Sequence, residues 1–361
     1  MLLAFAALLA CEPAPRPPVV ALITVDTWRF DHLSAARSPN LWALAEAGER
    51  YTQAWSPIGL TSPAHAAMLT GTSLAAHGME ANNHHGYQLD PAIPSLPSRF
   101  VGYASGAFVS AYPAGPEGGL GAGWEVFDAP ESGERSGQIA VDRALAWLPT
   151  DRPSLLWVHL YEPHGPYIGA GSDDVARYAA EVARADAMLE PLIDALVERK
   201  ATIVVAADHG EVLLEERCGR QHERSLHEAV LHVPLIRWAP GRSPAVIDRR
   251  LGLEDVPALL QGQDPPARAA YVVQSGLCDP NCAVGCTPAG PLGRDRAVMN
   301  AQGRWVQRPG KGTWPEGDPG AAALAELQAL PPVRPPQAVG QEAEAEALGY
   351  VVPSPPPQVS P

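Results

Sequence analysis

The sequence predicts an α/β fold built on a mostly parallel sheet, and three observations predict it. Apolar runs of strand length recur along the chain, helical patterns fall between them, and residues able to do chemistry stand directly after several of the runs. Ligand sites in such sheets lie beyond the carboxyl ends of the strands. Asp26, the segment Glu162 to His164, and Asp208-His209 all fall at such ends.

The first run, Val19 to Val25, is continuously apolar, with prolines before it and Asp26 and Thr27 after it. That is the pattern of a parallel strand buried on both faces. Ser38-Pro39 then opens a helical pattern through Leu41 and Leu44 to Gly48, with Ser38 as the N-cap and Pro39 in the first turn. Further strands are expected at Ser105 to Val109, Leu155 to Leu160, Ile203 to Ala207 and Val233 to Trp238, with helices at Gln138 to Leu148 and Val175 to Arg199. From about residue 265 the pattern changes to short runs, Tyr271 to Ser275, Arg296 to Asn300 and Arg304 to Arg308, separated by Gly and Pro. These predict a small antiparallel appendage.

The organisation expected is a signal segment over 1–11, a Pro-rich linker over 12–18, a catalytic domain over 19–264, a C-terminal subdomain over 265–320, and a Pro-rich tail over 321–361. The tail holds one helix-like stretch, and its segments PPVRPPQ and PSPPPQVSP have too little apolar content to pack.

The chain has 361 residues, 46% of them hydrophobic, and a formal net charge of −14. No Lys/Arg run is present, so a nucleic-acid backbone would meet net repulsion. Only Lys200 and Lys311 are lysines, so an anion site must draw on Arg, His or a metal. The first ten residues, MLLAFAALLA, are apolar but too short to span a bilayer, and they run into Cys11. A short apolar segment ending Leu-Leu-Ala-Cys resembles the bacterial lipoprotein signal, which implies export to the periplasm or cell surface and a membrane anchor on lipidated Cys11. Cys218, Cys278, Cys282 and Cys286 remain, an even number suited to two disulfides outside the cytoplasm. The three-residue gaps in CDPNCAVGC differ from the two-residue gap of structural zinc sites, which favours disulfides and leaves the pairing open.

The chemistry is concentrated around TSPAHAAMLTG. Ser62 can cap a helix that Pro63 begins, which places Thr61 just outside a helix N-terminus, with His65 one turn on and facing the same side. The helix dipole would stabilise a developing alkoxide there, and free N–H groups would hold an anionic substrate. A threonine hydroxyl is a weak nucleophile and needs a metal or a base. Asp26, Asp208 and His209 supply two hard oxygen ligands and an imidazole, and the Thr61 oxygen completes a four-group site for one divalent cation: Ca, Mg, Mn or Zn.

Four ordered blocks now carry a resemblance: ALITVDTWRFDHL, SPNLWALAEAGERYTQAWSPIGLTSPAHAAMLTG, WVHLYEPHGPY, and VVAADHGE followed by HERSLHEAVLHVPLI. Over about Val19 to Trp238 the chain resembles the sulfatase family of the alkaline phosphatase superfamily. The resemblance implies an alkaline-phosphatase-like α/β sandwich, a divalent cation on Asp26, Asp208 and His209, and a nucleophile at Thr61 attacking sulfur or phosphorus. It also implies that His164 and His222 serve the substrate oxyanion or a second metal, with Glu162 as a further candidate ligand; His77 resembles a family position.

Two departures matter. Sulfatases carry Cys or Ser in a C/S-x-P-S-R signature that is oxidised to formylglycine, whereas this chain reads Thr61-Ser62-Pro63-Ala64-His65. Threonine cannot yield that aldehyde, but phosphatases, phosphodiesterases and phosphotransferases of the superfamily use Thr or Ser directly. Thr27 also stands where many sulfatases have a second adjacent Asp. His65, His77, His164 and His222 would then share oxyanion stabilisation with the metal.

Other polar residues have plainer expectations. His84-His85 reads as a solvent-exposed loop, His227 and His232 as satisfied histidines, and Arg29 as an anchor for Asp26 or Asp31. The leading expectation is a metal-dependent hydrolase of sulfate or phosphate esters acting on a small-molecule, glycan or lipid substrate. The alternatives are a transferase passing the group to a lipid or glycan hydroxyl, and a binding module that keeps the fold without the chemistry.

Overall fold

A computed structural model describes residues 17–215, 222–275, 294–308 and 312–332. Cys11 and the signal segment, Cys218, Cys278, Cys282, Cys286, the chain beyond Pro332 and the side chain of His84 lie outside the described residues.

The chain opens with β1 (Val19–Val25), α1 (Pro39–Ala47), β2 (Glu49–Trp55), α2 (Thr61–Thr70) and α3 (Leu74–His77). It continues through β3 (Ala104–Val109), β4 (Val126–Asp128), α4 (Gly137–Trp147), β5 (Ser154–Leu160) and α5 (Asp174–Glu198). After β6 (Thr202–Ala207) come α6 (Glu228–Leu231), β7 (Leu235–Trp238), β8 (Ala245–Gly252) and α7 (Val256–Leu260). The last elements are β9 (Tyr271–Gln274), β10 (Arg296–Met299), β11 (Gly303–Arg308), β12 (Gly312–Gly317) and α8 (Gly320–Gln328).

Eight strands form one sheet in the order β4-β3-β5-β1-β6-β7-β2-β8, with only β7 antiparallel to its neighbours. The central strands β1 and β5 are buried at every position, which is why they read as unbroken apolar runs. Helices α1, α4 and α5 pack together as one layer, and α2 and α7 form another; both layers reach β1. The buried residues Tyr178, Val182, Ala185, Leu189, Leu192 and Leu196 of α5 follow the alternating four- and three-residue spacing of a core-facing helix. The antiparallel sheet β12-β11-β10-β9 carries its own apolar cluster, including Val298, Ala323 and Leu327.

Four expectations change. Ser38 does not cap α1: its hydroxyl donates to the His32 carbonyl at 3.0 Å. Instead Asp186 of α5 accepts from the N–H groups of Asn40 at 3.1 Å and Leu41 at 2.8 Å, so a distant carboxylate satisfies the helix start. Helix α2 begins at Thr61, two residues earlier than the sequence implied, with Leu60 rather than Ser62 at the cap. The helix-like stretch expected at the start of the tail is α8 (Gly320–Gln328), and it packs Ala323 and Leu327 on the small sheet instead of standing apart from it. Finally, β2, β4, β8 and β12 were not expected; Glu49, Arg50, Asp248, Arg249, Arg250, Pro315 and Glu316 break their apolar patterns.

Candidate active site

The register of β1 against its neighbours pairs Val25 with Leu160 on β5 and with Ala207 on β6. Asp26 and Asp208 each follow directly, so two carboxylates far apart in sequence leave adjacent strand ends together. The turn after Asp26 is tight: Thr27 has φ 50°, a left-handed conformation rare for a β-branched residue. Its carbonyl accepts from the Tyr178 hydroxyl at 2.7 Å and its N–H donates to Asp208 at 3.3 Å, contacts that hold the strained residue in place. Gly210 follows His209 because the carbonyl of Ala229 occupies the space a Cβ would fill.

Asp26, Asp208 and His209 are fully buried, and one ligand atom from each lies within 4.8 Å of the others. His209 Nε2 stands 3.5 Å from Asp208 Oδ2 and 3.8 Å from Asp26 Oδ1. His209 Nδ1 lies 3.0 Å from the Gly210 carbonyl, which can only accept, so that nitrogen carries the hydrogen and Nε2 of the neutral ring is bare. Asp26 Oδ1, Asp208 Oδ2 and His209 Nε2 have no hydrogen-bond partner. Three buried ligand atoms without hydrogen-bond partners thus face one another, and the donor set fits a divalent cation. Burial, reinforced by the neighbouring carboxylate of Asp208 and opposed by the Thr61 hydrogen bond, pushes the Asp26 carboxyl well up. Burial also raises Asp208 to about 6, against the opposing pull of His65.

Thr61 joins them. Its hydroxyl is fully buried and donates to Asp26 Oδ2 at 3.2 Å. The N–H groups that follow Thr61 in the first turn of α2 are engaged within the protein, however. Ser62 N–H goes to Asn82 at 2.9 Å, Pro63 has none, and Ala64 N–H goes to the Leu60 carbonyl at 3.1 Å. The Ser62 hydroxyl is likewise spent, donating to the Pro113 carbonyl at 2.6 Å. What α2 contributes to a developing charge on Thr61 is its dipole.

His65 lies beneath Thr61 and is fully buried, its Nδ1 2.8 Å from the Thr61 carbonyl and 3.7 Å from Asp208 Oδ2. His164 and His222 come together at a ring separation of 5.0 Å, and His222 stacks on His209 at 4.6 Å. Burial holds His164, His209 and His222 as neutral rings, each with its pKa depressed to about 3.

Glu162 is not with them. Its carboxylate accepts from Gly137 N–H at 3.1 Å and 3.2 Å, at the start of α4, and Asp26, Asp208 and His209 are the only cation-binding trio among the described residues. A second metal on Glu162, His164 and His222 is therefore not assembled. The acid facing His222 is Glu211, 3.4 Å from Nδ1.

Two site residues escaped the sequence reading. Glu211 follows Asp208-His209 closely, a signal that was present and unused. His159, fully buried with Nε2 3.7 Å from Asp26 Oδ2, sits inside the apolar run of β5, where nothing but its residue type marks it. His77 is buried at the end of α3 and its Nδ1 accepts from Met79 N–H at 3.2 Å; it is no member of the cation group. His232 is stacked between Phe30 and Trp55 and donates to the Thr52 carbonyl at 2.9 Å, while His227 caps α6. His85 is half-buried rather than exposed, and burial together with Arg294 lowers its pKa to about 4. Arg29 binds Asp31 at 2.9 Å and Glu215 at 2.7 Å, and it does not pair with Asp26.

Known proteins resemble this chain in sequence and in fold. The family model described as Sulfatase matches residues 18–261. Human arylsulfatase K is 29% identical over 137 residues, which cover 32% of this chain and 25% of the length of that relative. A phosphonate monoester hydrolase from Silicibacter pomeroyi superposes with a TM-score of 0.65 at 17% identity, over 87% of this chain and 93% of its own. A Bacteroides thetaiotaomicron protein, from a study of the metabolism of multiple glycosaminoglycans, gives a TM-score of 0.66 at 14% identity, over 93% and 98%. The family match spans both strand ends that carry Asp26 and Asp208 and the helix that carries Thr61, and the chain belongs to the sulfatase family, in the alkaline phosphatase-like superfamily.

Proposed function

We propose that this chain is a metal-dependent hydrolase of sulfate or phosphate esters in which Thr61 is the nucleophile, with phosphorus the favoured centre. The observation that carries the reading is the Thr61 hydroxyl at the first turn of α2, hydrogen-bonded to Asp26 at 3.2 Å beside three converging unpartnered ligand atoms. Family membership supports ester hydrolysis. Threonine in place of the residue that sulfatases oxidise supports phosphorus, as does the similar fold of a phosphonate monoester hydrolase.

Asp26, Asp208, His209 and Thr61 would hold one divalent cation, which when bound supplies Lewis-acid charge for the hydroxyl and the ester oxygens. Thr61 attacks in line and takes the phosphoryl or sulfuryl group, and water resolves the ester so formed. His164 and His222, held neutral with Nδ1 toward the Gly165 carbonyl and Glu211, would present Nε2 as acceptors of the proton lost by Thr61 or by the attacking water, and the proton so taken would pass to the leaving oxygen. Glu211 orients His222 through the contact at its Nδ1.

The test uses paired aryl phosphate, aryl phosphodiester, phosphonate monoester and aryl sulfate substrates, before and after chelation and cation return. Phosphoester cleavage lost on chelation and restored by cation is the expected result. Cleavage of sulfate alone would overturn the choice of phosphorus. Cation binding without release of product from any substrate would point to the transferase, and absence of cation binding to the inert module.

A further inference from the structure

We propose that Thr24 is a positioning residue for the nucleophile: its hydroxyl fixes the tautomers of His65 and His159 and, through His65, anchors the backbone of Thr61. The proposal rests on the reading of Thr61 given above.

Thr24 lies on β1 two residues before Asp26, in register with His159 on β5. Its Oγ1 has three partners: Trp157 Nε1 at 3.0 Å, His65 Nε2 at 3.0 Å and His159 Nδ1 at 3.1 Å. All four residues are fully buried. A hydroxyl has one hydrogen and two lone pairs, so three partners saturate it. The Trp157 indole can only donate and takes one lone pair. One imidazole must therefore accept the Thr24 hydrogen, and the other must donate to the second lone pair.

The far side of His65 decides which. Its Nδ1 lies 2.8 Å from the Thr61 carbonyl, an acceptor, and so carries the hydrogen. Nε2 of the neutral ring is then bare and accepts from Thr24. His159 must donate from Nδ1, which leaves its Nε2 bare. A single arrangement keeps both rings neutral and every bond made.

Two consequences follow for the site. Both nitrogens of His65 are committed to protein groups, so His65 ties the first turn of α2 to the centre of the sheet and does not act as an acid on substrate. The bare His159 Nε2 has no hydrogen-bond partner and faces Asp26 Oδ2 at 3.7 Å, the same oxygen that Thr61 donates to. With His159 Nε2 offering no hydrogen, the Thr61 hydroxyl is the donor to that carboxylate oxygen, at 3.2 Å. Its hydrogen is thereby held toward Asp26 and away from the face of the oxygen that attacks.

The test compares wild type with Thr24→Val, which keeps the shape and removes the hydroxyl, and with Thr24→Ser, which restores it. The full chain, labelled with ¹⁵N-histidine and loaded with zinc, is read by long-range ¹H–¹⁵N correlation, with His65→Gln and His159→Gln used for assignment. The expected wild-type spectrum shows both rings neutral and protonated at Nδ1; Thr24→Ser keeps this pattern and Thr24→Val loses it for at least one ring. In steady-state assays Thr24→Val should lower kcat roughly 10- to 100-fold with KM changed by less than about threefold, the cost expected of a misplaced nucleophile. Thr24→Ser should recover most of the loss. A His159 protonated at Nε2 in wild type overturns the proposal, as does a Thr24→Val protein that matches wild type in spectrum and kcat. If Thr24→Val does not fold, the wild-type and Thr24→Ser spectra still decide. If wild type cleaves no ester, the functional reading fails while the spectra continue to judge the tautomers.

Discussion

Thr61 concentrates the chemical claim on one oxygen atom. Replacing it with alanine leaves Asp26, Asp208 and His209 in place, so calorimetry should show a divalent cation still binding within about tenfold of wild-type affinity while kcat falls roughly 10³-fold or more. Turnover near the wild-type rate would remove Thr61 from the mechanism. The roles of the ring nitrogens also separate at this scale. Those of His65 are consumed by Thr61 and Thr24, whereas Nε2 of His209 is bare and aimed at the two carboxylates. His209→Ala should therefore weaken cation binding by tenfold or more, as expected for loss of a ligand, and His65→Gln much less. Equal losses for the two would contradict the assignment. Asp26, Asp208 and His209 were legible because they stand directly after apolar strands, where polar groups meet ligands. His159 was not: a histidine facing inward from a buried strand resembles a core residue until the neighbouring strand is in place.

The same contrast holds for whole elements. Strands β1, β5 and β6 are apolar because both faces are covered, so their sequences announce them. Strand β2 puts Glu49 against Arg237 across the sheet, and β8 at the sheet edge carries Asp248, Arg249 and Arg250, so neither shows a clean period. Helix caps were the least legible feature, because a tertiary partner replaced the local one. Ser38 looked like the cap of α1, yet the donors there reach Asp186 on another helix. Asp186→Ala should lower stability by about 1–2 kcal/mol in urea unfolding, the usual cost of losing a helix cap. Ser38→Ala should cost less. The reverse order would restore the local cap.

At the scale of the molecule, the site and its stability are linked through protons. Burial raises Asp26, and raises Asp208 to about 6, both above the ordinary carboxylate range. A carboxyl with a raised folded pKa binds its proton more tightly when folded, so its contribution to stability is present below about pH 4. For Asp208 that contribution is lost as the pH rises through about 6. Above that pH the cation-free chain buries an uncompensated charge on Asp208, which a divalent cation relieves. The rise in melting temperature on adding cation should be larger at pH 8 than at pH 5, in differential scanning calorimetry at fixed cation concentration. An equal rise at both would mean that the cation does not bind these carboxylates. The separation of the two strand ends in the chain has a further consequence, for the order of events in biosynthesis. Thr27, next to Asp26, meets Asp208 across 181 residues, and at roughly 5–20 residues per second the ribosome needs on the order of 10–40 seconds to make that span. The cation cannot be captured by the emerging amino-terminal part; metallation waits for a nearly complete sheet, and the compartment where that sheet closes decides which ions compete for the site.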